Sequence, residues 1–232
     1  MNNLKENLNN VRARIEAACE KAGRNPGEVV LLAVSKLHPA ERVRALRALG
    51  QRAFGENYVQ EALAKQQQLA DQDIEWHFIG PLQSNKTREA AAHFDWVQSA
   101  DRDKILRRLS GQRPDSLGPL NVCIQVNIDR EPQKAGVLPE GAAELARLAG
   151  SLPGLRLRGL MTIPRMATAG HDPCDSYRRM KELFEELRDA GIAMDTLSMG
   201  MSADLEQAIA QGSTLVRVGT DLLGPRPDEA AA

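Results

Sequence analysis

Eight short apolar runs, each separated from the next by a stretch of helical periodicity, constrain this chain more than any other feature. Val29-Val30-Leu31-Leu32-Ala33-Val34 is the clearest run and residues 120–128 the next. Shorter ones lie around 52–54, 75–79, 96–98, 155–163, 196–199 and 214–218. Between them, apolar residues recur at helical spacing, as in Val43, Leu46 and Leu49, or Tyr177, Met180, Leu183, Phe184 and Leu187. Gly50 and Gly191 stop two of these helices and Pro39 opens one. Gly55 breaks the 52–54 strand, and Asp101 caps the helix after 96–98. Strict alternation of strand and helix demands parallel pairing. Eight such units within roughly 200 residues predict a single closed (β/α)8 barrel. An open doubly wound sheet is the rival arrangement. Leu4, Leu8, Val11, Ile15 and Ala18 add an amphipathic helix over residues 2–22 in front of the first strand. Residues 1–224 read as one domain, and 225–232, with two prolines and a run of alanines, as a loose tail.

The chain is 42% hydrophobic and 26% charged, which supports a packed core and argues against disorder. A net charge of −1 gives no general attraction to nucleic acid or to anionic membrane. No run reaches membrane-spanning length, and residues 1–7 hold no apolar signal core. Three cysteines with no CxxC spacing point to a reducing compartment, so a cytoplasmic protein is expected. Aromatics are only 3%, so few are available for an exposed interface, and a monomer is the default. His38, His77, His93 and His171 share no metal-ligand spacing.

The first apolar run continues into Ser35 and Lys36. A lysine at the carboxyl end of a buried strand either reaches water along its stem or loses its charge. A neutral, nucleophilic amine is what a Schiff-base lysine requires. In a barrel, chemistry gathers at the carboxyl ends of the strands, and phosphate is often held by the last two strand–helix loops. Here those loops carry Ser198-Met199-Gly200-Met201-Ser202 and Gly219-Thr220. Glycine lets backbone amides approach a phosphate, and a helix starting at Ser202 would add a hydroxyl and a positive helix end. Each loop alone is equally an ordinary cap or turn; side by side they suggest a phosphate cup. Asp204 and Glu206 count against that cup if they face it. His77 inside a strand reads first as a packed histidine, and Cys123 as core.

Arg217 sits between Val216 and Val218, so alternation sends it inward if the valines pack outward. Buried there, it needs an acceptor. The first and last strands are neighbours in a closed barrel, so Lys36 and Arg217 are expected to meet beside the cup. An aldehyde bearing a phosphate, with a ring nitrogen near a third group, is pyridoxal 5′-phosphate (PLP). An arginine cannot give up its proton. It would leave the ring nitrogen unprotonated and the ring a weak electron sink, which predicts little carbanion chemistry.

Six motifs in order carry a resemblance over about residues 29–224. They are Ala33-Val34-Ser35-Lys36, Phe54-Gly55-Glu56-Asn57-Tyr58-Val59-Gln60-Glu61, Trp76-His77-Phe78-Ile79-Gly80-Pro81-Leu82-Gln83-Ser84-Asn85-Lys86, Gly159-Leu160-Met161-Thr162-Ile163-Pro164, Leu197-Ser198-Met199-Gly200-Met201-Ser202 and Val216-Arg217-Val218-Gly219-Thr220. Together they resemble the pyridoxal phosphate homeostasis proteins of the YggS/PROSC type. The resemblance implies a barrel like the N-terminal domain of alanine racemase, with PLP as a Schiff base on Lys36. It implies phosphate contacts from Ser202, Gly219, Thr220 and nearby backbone, including the Ser198, Gly200 and Met201 turn. It places Arg217 by the ring nitrogen and Asn57, His77 and Met161 around the pocket. Asp221 and Leu223 depart from the family pattern, and Asp221 would weaken phosphate binding if it turned inward.

Two functions fit. One is a non-catalytic carrier that buffers PLP and hands it to apo-enzymes. The alternative is a PLP-dependent amino-acid racemase, which needs an acid–base group on each face of the cofactor. Tyr58 and Tyr177 are the only tyrosines, and neither reads as a poised acid. The carrier is therefore the expected function.

Overall fold

The fold was obtained as a computed structural model, which describes residues 2–165 and 172–225. His171 and residues 226–232 of the expected tail lie outside the described residues. Helix α1 (Asn2–Lys21) comes first, followed by β1 (Val30–Val34), α2 (Ala40–Ala48), β2 (Ala53–Glu56), α3 (Val59–Gln68) and β3 (Glu75–Phe78). Next come α4 (Thr87–His93), β4 (Trp96–Ala100), α5 (Asp103–Gln112), β5 (Leu120–Gln125) and α6 (Ala142–Ser151). The chain closes with β6 (Leu155–Met161), α7 (Pro173–Asp189), β7 (Thr196–Met201), α8 (Leu205–Ala210), β8 (Leu215–Val218) and α9 (Thr220–Leu223). Each strand pairs in parallel with the next, and β8 returns to β1, so the barrel is closed and the open sheet is excluded.

Side-chain alternation divides each strand between two environments. Outward residues such as Phe54, Phe78, Val97, Val216 and Val218 join one large core under the helices. Inward residues form two small apolar clusters, Leu32 with Ala53 and Leu215, and Trp96 with Cys123 and Met161. The rest of the barrel interior is polar, with His77, Gln98, Ser198 and Arg217 all buried. Such groups are tolerated there only if they satisfy one another.

Local differences from the sequence reading have physical causes. β1 ends at Val34, and Ser35 to Leu37 form a turn in which Leu37 takes φ 64°. β2 runs through Gly55 to Glu56, because the Leu32 and Ile79 side chains fill the space a Cβ would need. Asp101 does not cap α5: Arg102 occupies that place, and the Asp101 carboxylate accepts from its guanidinium at 2.6 Å. Helix α9, too short to show a period, follows directly on β8.

α1 buries Leu4, Leu8, Val11 and Ile15, the stripe its periodicity predicts, against α2, α8 and α9. Among the described residues no helix is long and apolar enough to cross a membrane. Nor do three His, Cys, Asp or Glu side chains cluster as a metal site among them.

Candidate functional site

At the carboxyl ends of the strands a cavity of about 300 Å³ opens on the seam between β1 and β8. Leu32 lies opposite Arg217 across that seam, and Lys36 stands just beyond the end of β1. Lys36, Asn57, Met201, Ser202 and Arg217 line the cavity, with Gly219 and Thr220 at its side. Val34, Ile79 and Ile163 supply apolar wall. Seven predicted site residues are thus brought together. His77, Met161, Ser198 and Gly200 do not line the cavity and stand behind or below it. A larger depression of about 530 Å³ lies at the opposite mouth, lined among others by Arg12, Gln51 and Glu75. It gathers no lysine, and it sits at the end of the barrel where conservation of stability, not chemistry, is the rule.

Lys36 is mounted between two pinned neighbours. The Ser35 N–H donates to Gly55 O at 3.0 Å, and the Ser35 hydroxyl donates to Glu56 Oε1 at 2.7 Å. The Leu37 N–H donates to Glu61 Oε1 at 2.5 Å. Beneath them, buried Lys65 donates to Ser35 O, Glu56 Oε1 and Glu61 Oε1, each at 2.7 Å. Glu56 is fully buried, and burial pushes its carboxyl above the usual range while Lys65 pulls it down. Holding Leu37 at positive φ costs about 1 kcal/mol, which this ionic cluster offsets. In the sequence Glu56 and Glu61 stand only as members of a family motif with no role assigned, and nothing picks out Lys65; Glu61 and Lys65, four apart on a helix, look like an ordinary surface pair.

Asn57 follows β2 with its Oδ1 buried and without a protein partner. Its backbone is fixed by Gly80, where a Cβ would stand 2.2 Å from Asn57 O. Arg217 is buried and donates from Nη1 to Ser198 Oγ at 2.7 Å and from Nη2 to Thr162 O at 2.8 Å. Both acceptors are neutral. Burial lowers its proton affinity, yet a guanidinium keeps its charge in a protein. A cation therefore faces the cavity with no carboxylate among its acceptors.

Of the four residues behind the cavity, Met161 packs with Trp96 and Cys123, and Gly200 lies in β7 against Ala208. His77 stacks on Trp96 with ring centroids 5.0 Å apart. Its ring nitrogens meet Glu75 and Gln98, and Ser198 joins Gln98. Burial pushes the His77 imidazole below its ordinary 6.5, against the pull of Glu75. The unfolded chain then takes up this proton first, so folding stability is lost as pH falls below 6.5. The difference in unfolding free energy between wild type and His77→Gln is expected to shrink as denaturant melts move from pH 7 to pH 5.

The last two strand–helix loops lie side by side, with Met201 opposite Arg217. Ser202 does not open a helix: α8 starts at Leu205, and Asp204 accepts the Met201 N–H at 2.6 Å. Thr220 does open one, α9, after Gly219. Arg14 of α1 ties the two loops together from outside. It donates to Ser202 O at 2.8 Å, to Asp221 Oδ2 at 2.6 Å and to Glu206 Oε1 at 2.6 Å. Asp221 and Glu206 thus face α1, which removes the repulsion they would exert on an anion in the cup. Arg14→Ala is expected to weaken phosphate-dependent ligand binding several-fold with a loss of only about 1 kcal/mol in stability, since these pairs are half-exposed. A calorimetric titration beside a thermal melt checks both.

Comparison with known proteins agrees with this geometry. The family model of the alanine racemase N-terminal domain matches residues 4–227. A pyridoxal phosphate homeostasis protein of Pseudomonas aeruginosa is 54% identical over 226 residues, covering 97% of each chain. The structure of PipY of Synechococcus elongatus, solved with PLP bound, superposes with a TM-score of 0.83 at 38% identity, over 95% of this chain and 100% of PipY. An alanine racemase of Clostridium difficile shares the fold, with a TM-score of 0.74 at 16% identity, over 98% of this chain and 58% of the racemase. With a lysine and a cationic arginine at the barrel seam, and relatives matched end to end, the chain belongs to the family of pyridoxal phosphate homeostasis proteins.

Proposed function

We propose that this protein binds PLP in the seam cavity through Lys36, shields it, and passes it to apo-enzymes without turning over amino acids. The observation that carries this reading is the meeting of Lys36 and Arg217 in one cavity beside the paired Ser202 and Gly219-Thr220 loops. The residues fit the group. Asn57 Oδ1 is a buried acceptor lacking a protein partner, and Arg217 brings a positive charge whose protein acceptors are neutral. Lys36 would supply the amine that holds the aldehyde, Ser202, Gly219 and Thr220 would hold the phosphate, and Arg217 would face the ring nitrogen. Met201, Val34, Ile79 and Ile163 exclude water from the ring. When bound, PLP supplies an electrophilic aldehyde and an electron-withdrawing ring. Arg217 keeps its own proton, so that withdrawal stays weak.

The racemase reading lacks its second acid–base group. Among the described residues lining the cavity there is no Tyr, His, Cys or carboxylate. Tyr177 is buried in the core, and burial, with Asp204 nearby, raises its phenol far above the usual range. Tyr58 is exposed and faces a neighbouring depression. The three cysteines are unpaired, which suits a reducing compartment, and we place the protein in the cytoplasm as a monomer.

The test is a titration of ligand-free protein with PLP, followed by borohydride reduction and peptide mapping. A visible band, with the reduced adduct on Lys36, is expected. Loaded protein mixed with an apo-transaminase should restore its activity. Absence of any band would sink the binding reading. Lys36-dependent exchange of an amino acid α-proton in heavy water would replace the carrier by an enzyme.

A further inference from the structure

Five side chains make one continuous hydrogen-bonded line through the barrel, from the cavity to the opposite mouth. Arg217 Nη1 donates to Ser198 Oγ at 2.7 Å, and Ser198 Oγ donates to Gln98 Oε1 at 2.7 Å. Gln98 Nε2 lies 2.9 Å from His77 Nδ1, and His77 Nε2 lies 2.7 Å from Glu75 Oε1. Ser198, Gln98 and His77 are buried, whereas the Glu75 side chain is 46% exposed at the far mouth.

The two ends fix the sense of everything between them. A guanidinium can only donate, and an ionised carboxylate can only accept. With Arg217 donating to its oxygen, Ser198 must turn its proton toward Gln98. Gln98 then offers its oxygen to Ser198 and its N–H to His77. His77 accepts at Nδ1 and donates from Nε2 to Glu75. Only the neutral Nε2–H tautomer completes the line. A second proton on His77 would turn the Gln98 amide round, and the Ser198 hydroxyl would lose its acceptor. The charged groups facing His77 are Glu75 from β3, Asp95 from the turn before β4 and Arg158 from β6. Arg158 sits 4.5 Å over the Trp96 ring on which His77 stacks.

We propose that Glu75, His77, Gln98 and Ser198 are positioning residues that set the orientation of Arg217 in the cofactor cavity, with Glu75 at the far mouth as their anchor. This rests on the reading of the cavity as a PLP site and adds to it a set of residues that never touch the ligand. Partners that orient a ligating group from behind hold it in one of several available geometries. A buried hydrogen-bonded line is fully effective only when every member is satisfied. The line therefore ties the charge that meets the ring to a carboxylate at the other end of the fold.

Glu75→Leu, Gln98→Leu and the conservative Glu75→Gln, whose amide oxygen still accepts from His77, test the proposal. Each is titrated with PLP while the visible band is recorded against pH, and the His77 tautomer is read by long-range 1H–15N correlation on ligand-free protein. Expected are an Nε2–H tautomer in the wild type, and about tenfold weaker PLP binding with a displaced band pKa in both leucine variants. Glu75→Gln should restore both to near wild-type values. Folded leucine variants with unchanged band and affinity would overturn the proposal, and so would an Nδ1–H or doubly protonated His77 at pH 7.5. If the leucine variants do not fold, the wild-type tautomer alone decides. A wild type without any visible band refutes the PLP reading, whereas a normal band indifferent to Glu75 refutes only the positioning line.

Discussion

Lys36→Ala is expected to remove the visible PLP band entirely and to leave no borohydride-stable adduct. The phosphate loops would still hold PLP non-covalently, so affinity should fall by about two to three orders of magnitude without vanishing. The fold should be untouched. Ser35 and Leu37 are held through their backbone and the Ser35 hydroxyl, and the ionic cluster beneath them is built by Lys65, Glu56 and Glu61. The thermal midpoint of ligand-free Lys36→Ala should therefore stay near wild type, while the midpoint shift at a given PLP concentration shrinks. A retained band would mean that another lysine carries the aldehyde. Absorbance and differential scanning fluorimetry on the same samples separate these results.

Lys65→Met is expected to be the most destabilising of the single changes considered. It strips a buried cation from the fully buried Glu56 and from Ser35 O. Removing one member of a buried pair costs about 3–5 kcal/mol, because the partner's charge is left without compensation. The loss has a definite pH signature. Burial already raises the Glu56 carboxyl above its ordinary 4.5, and without Lys65 only the Ser35 hydroxyl pulls it back. A folded pKa above the unfolded one means stability that is present below the unfolded value and lost as pH rises through the folded one. Denaturant melts should thus find Lys65→Met closer to wild type at pH 5 than at pH 8. Adding Glu56→Gln should recover much of the loss at pH 8. Equal destabilisation at both pH values would show that the packing of the Lys65 stem, not its charge, is what matters. The same variant should loosen the Lys36 turn and slow formation of the visible band.

Fold and cavity were legible in the sequence to different depths. Alternation of apolar runs with helical periods is a property of the local chain, and closure followed from counting eight units. The inward turn of Arg217 came from Val216 and Val218, which do pack outward. Gly55 misled because a glycine in a strand looks like a break; only the Leu32 and Ile79 side chains, distant in sequence, show why the strand needs no Cβ there. Ser202 misled because a serine before an acidic, apolar stretch imitates a helix start, whereas Asp204 takes the Met201 amide and delays the helix. The supports of the site were harder to see. Arg14 reaches Ser202, Asp221 and Glu206 across most of the chain length, and no local pattern encodes such contacts. Gln98 gave a faint signal: alternation sets it on the inward side with Trp96, where an amide must find partners. His77 was assigned to the cavity by resemblance, but its ring is spent on Glu75 and Gln98 one layer below.

The seam between β1 and β8 also orders events in time. Its two strands come from opposite ends of the chain, so their pairing is among the least local in the molecule and among the costliest to form early. During synthesis Lys36 emerges long before Arg217, Gly219 and Thr220. A nascent chain therefore exposes an amine with no phosphate cup beside it, and the aldehyde finds only a solvated lysine like any other. If Lys36 anchors the aldehyde as proposed, capture begins when the last strand docks, and a ribosome-bound chain halted before β8 should carry no borohydride-fixed adduct on Lys36 while the released protein does.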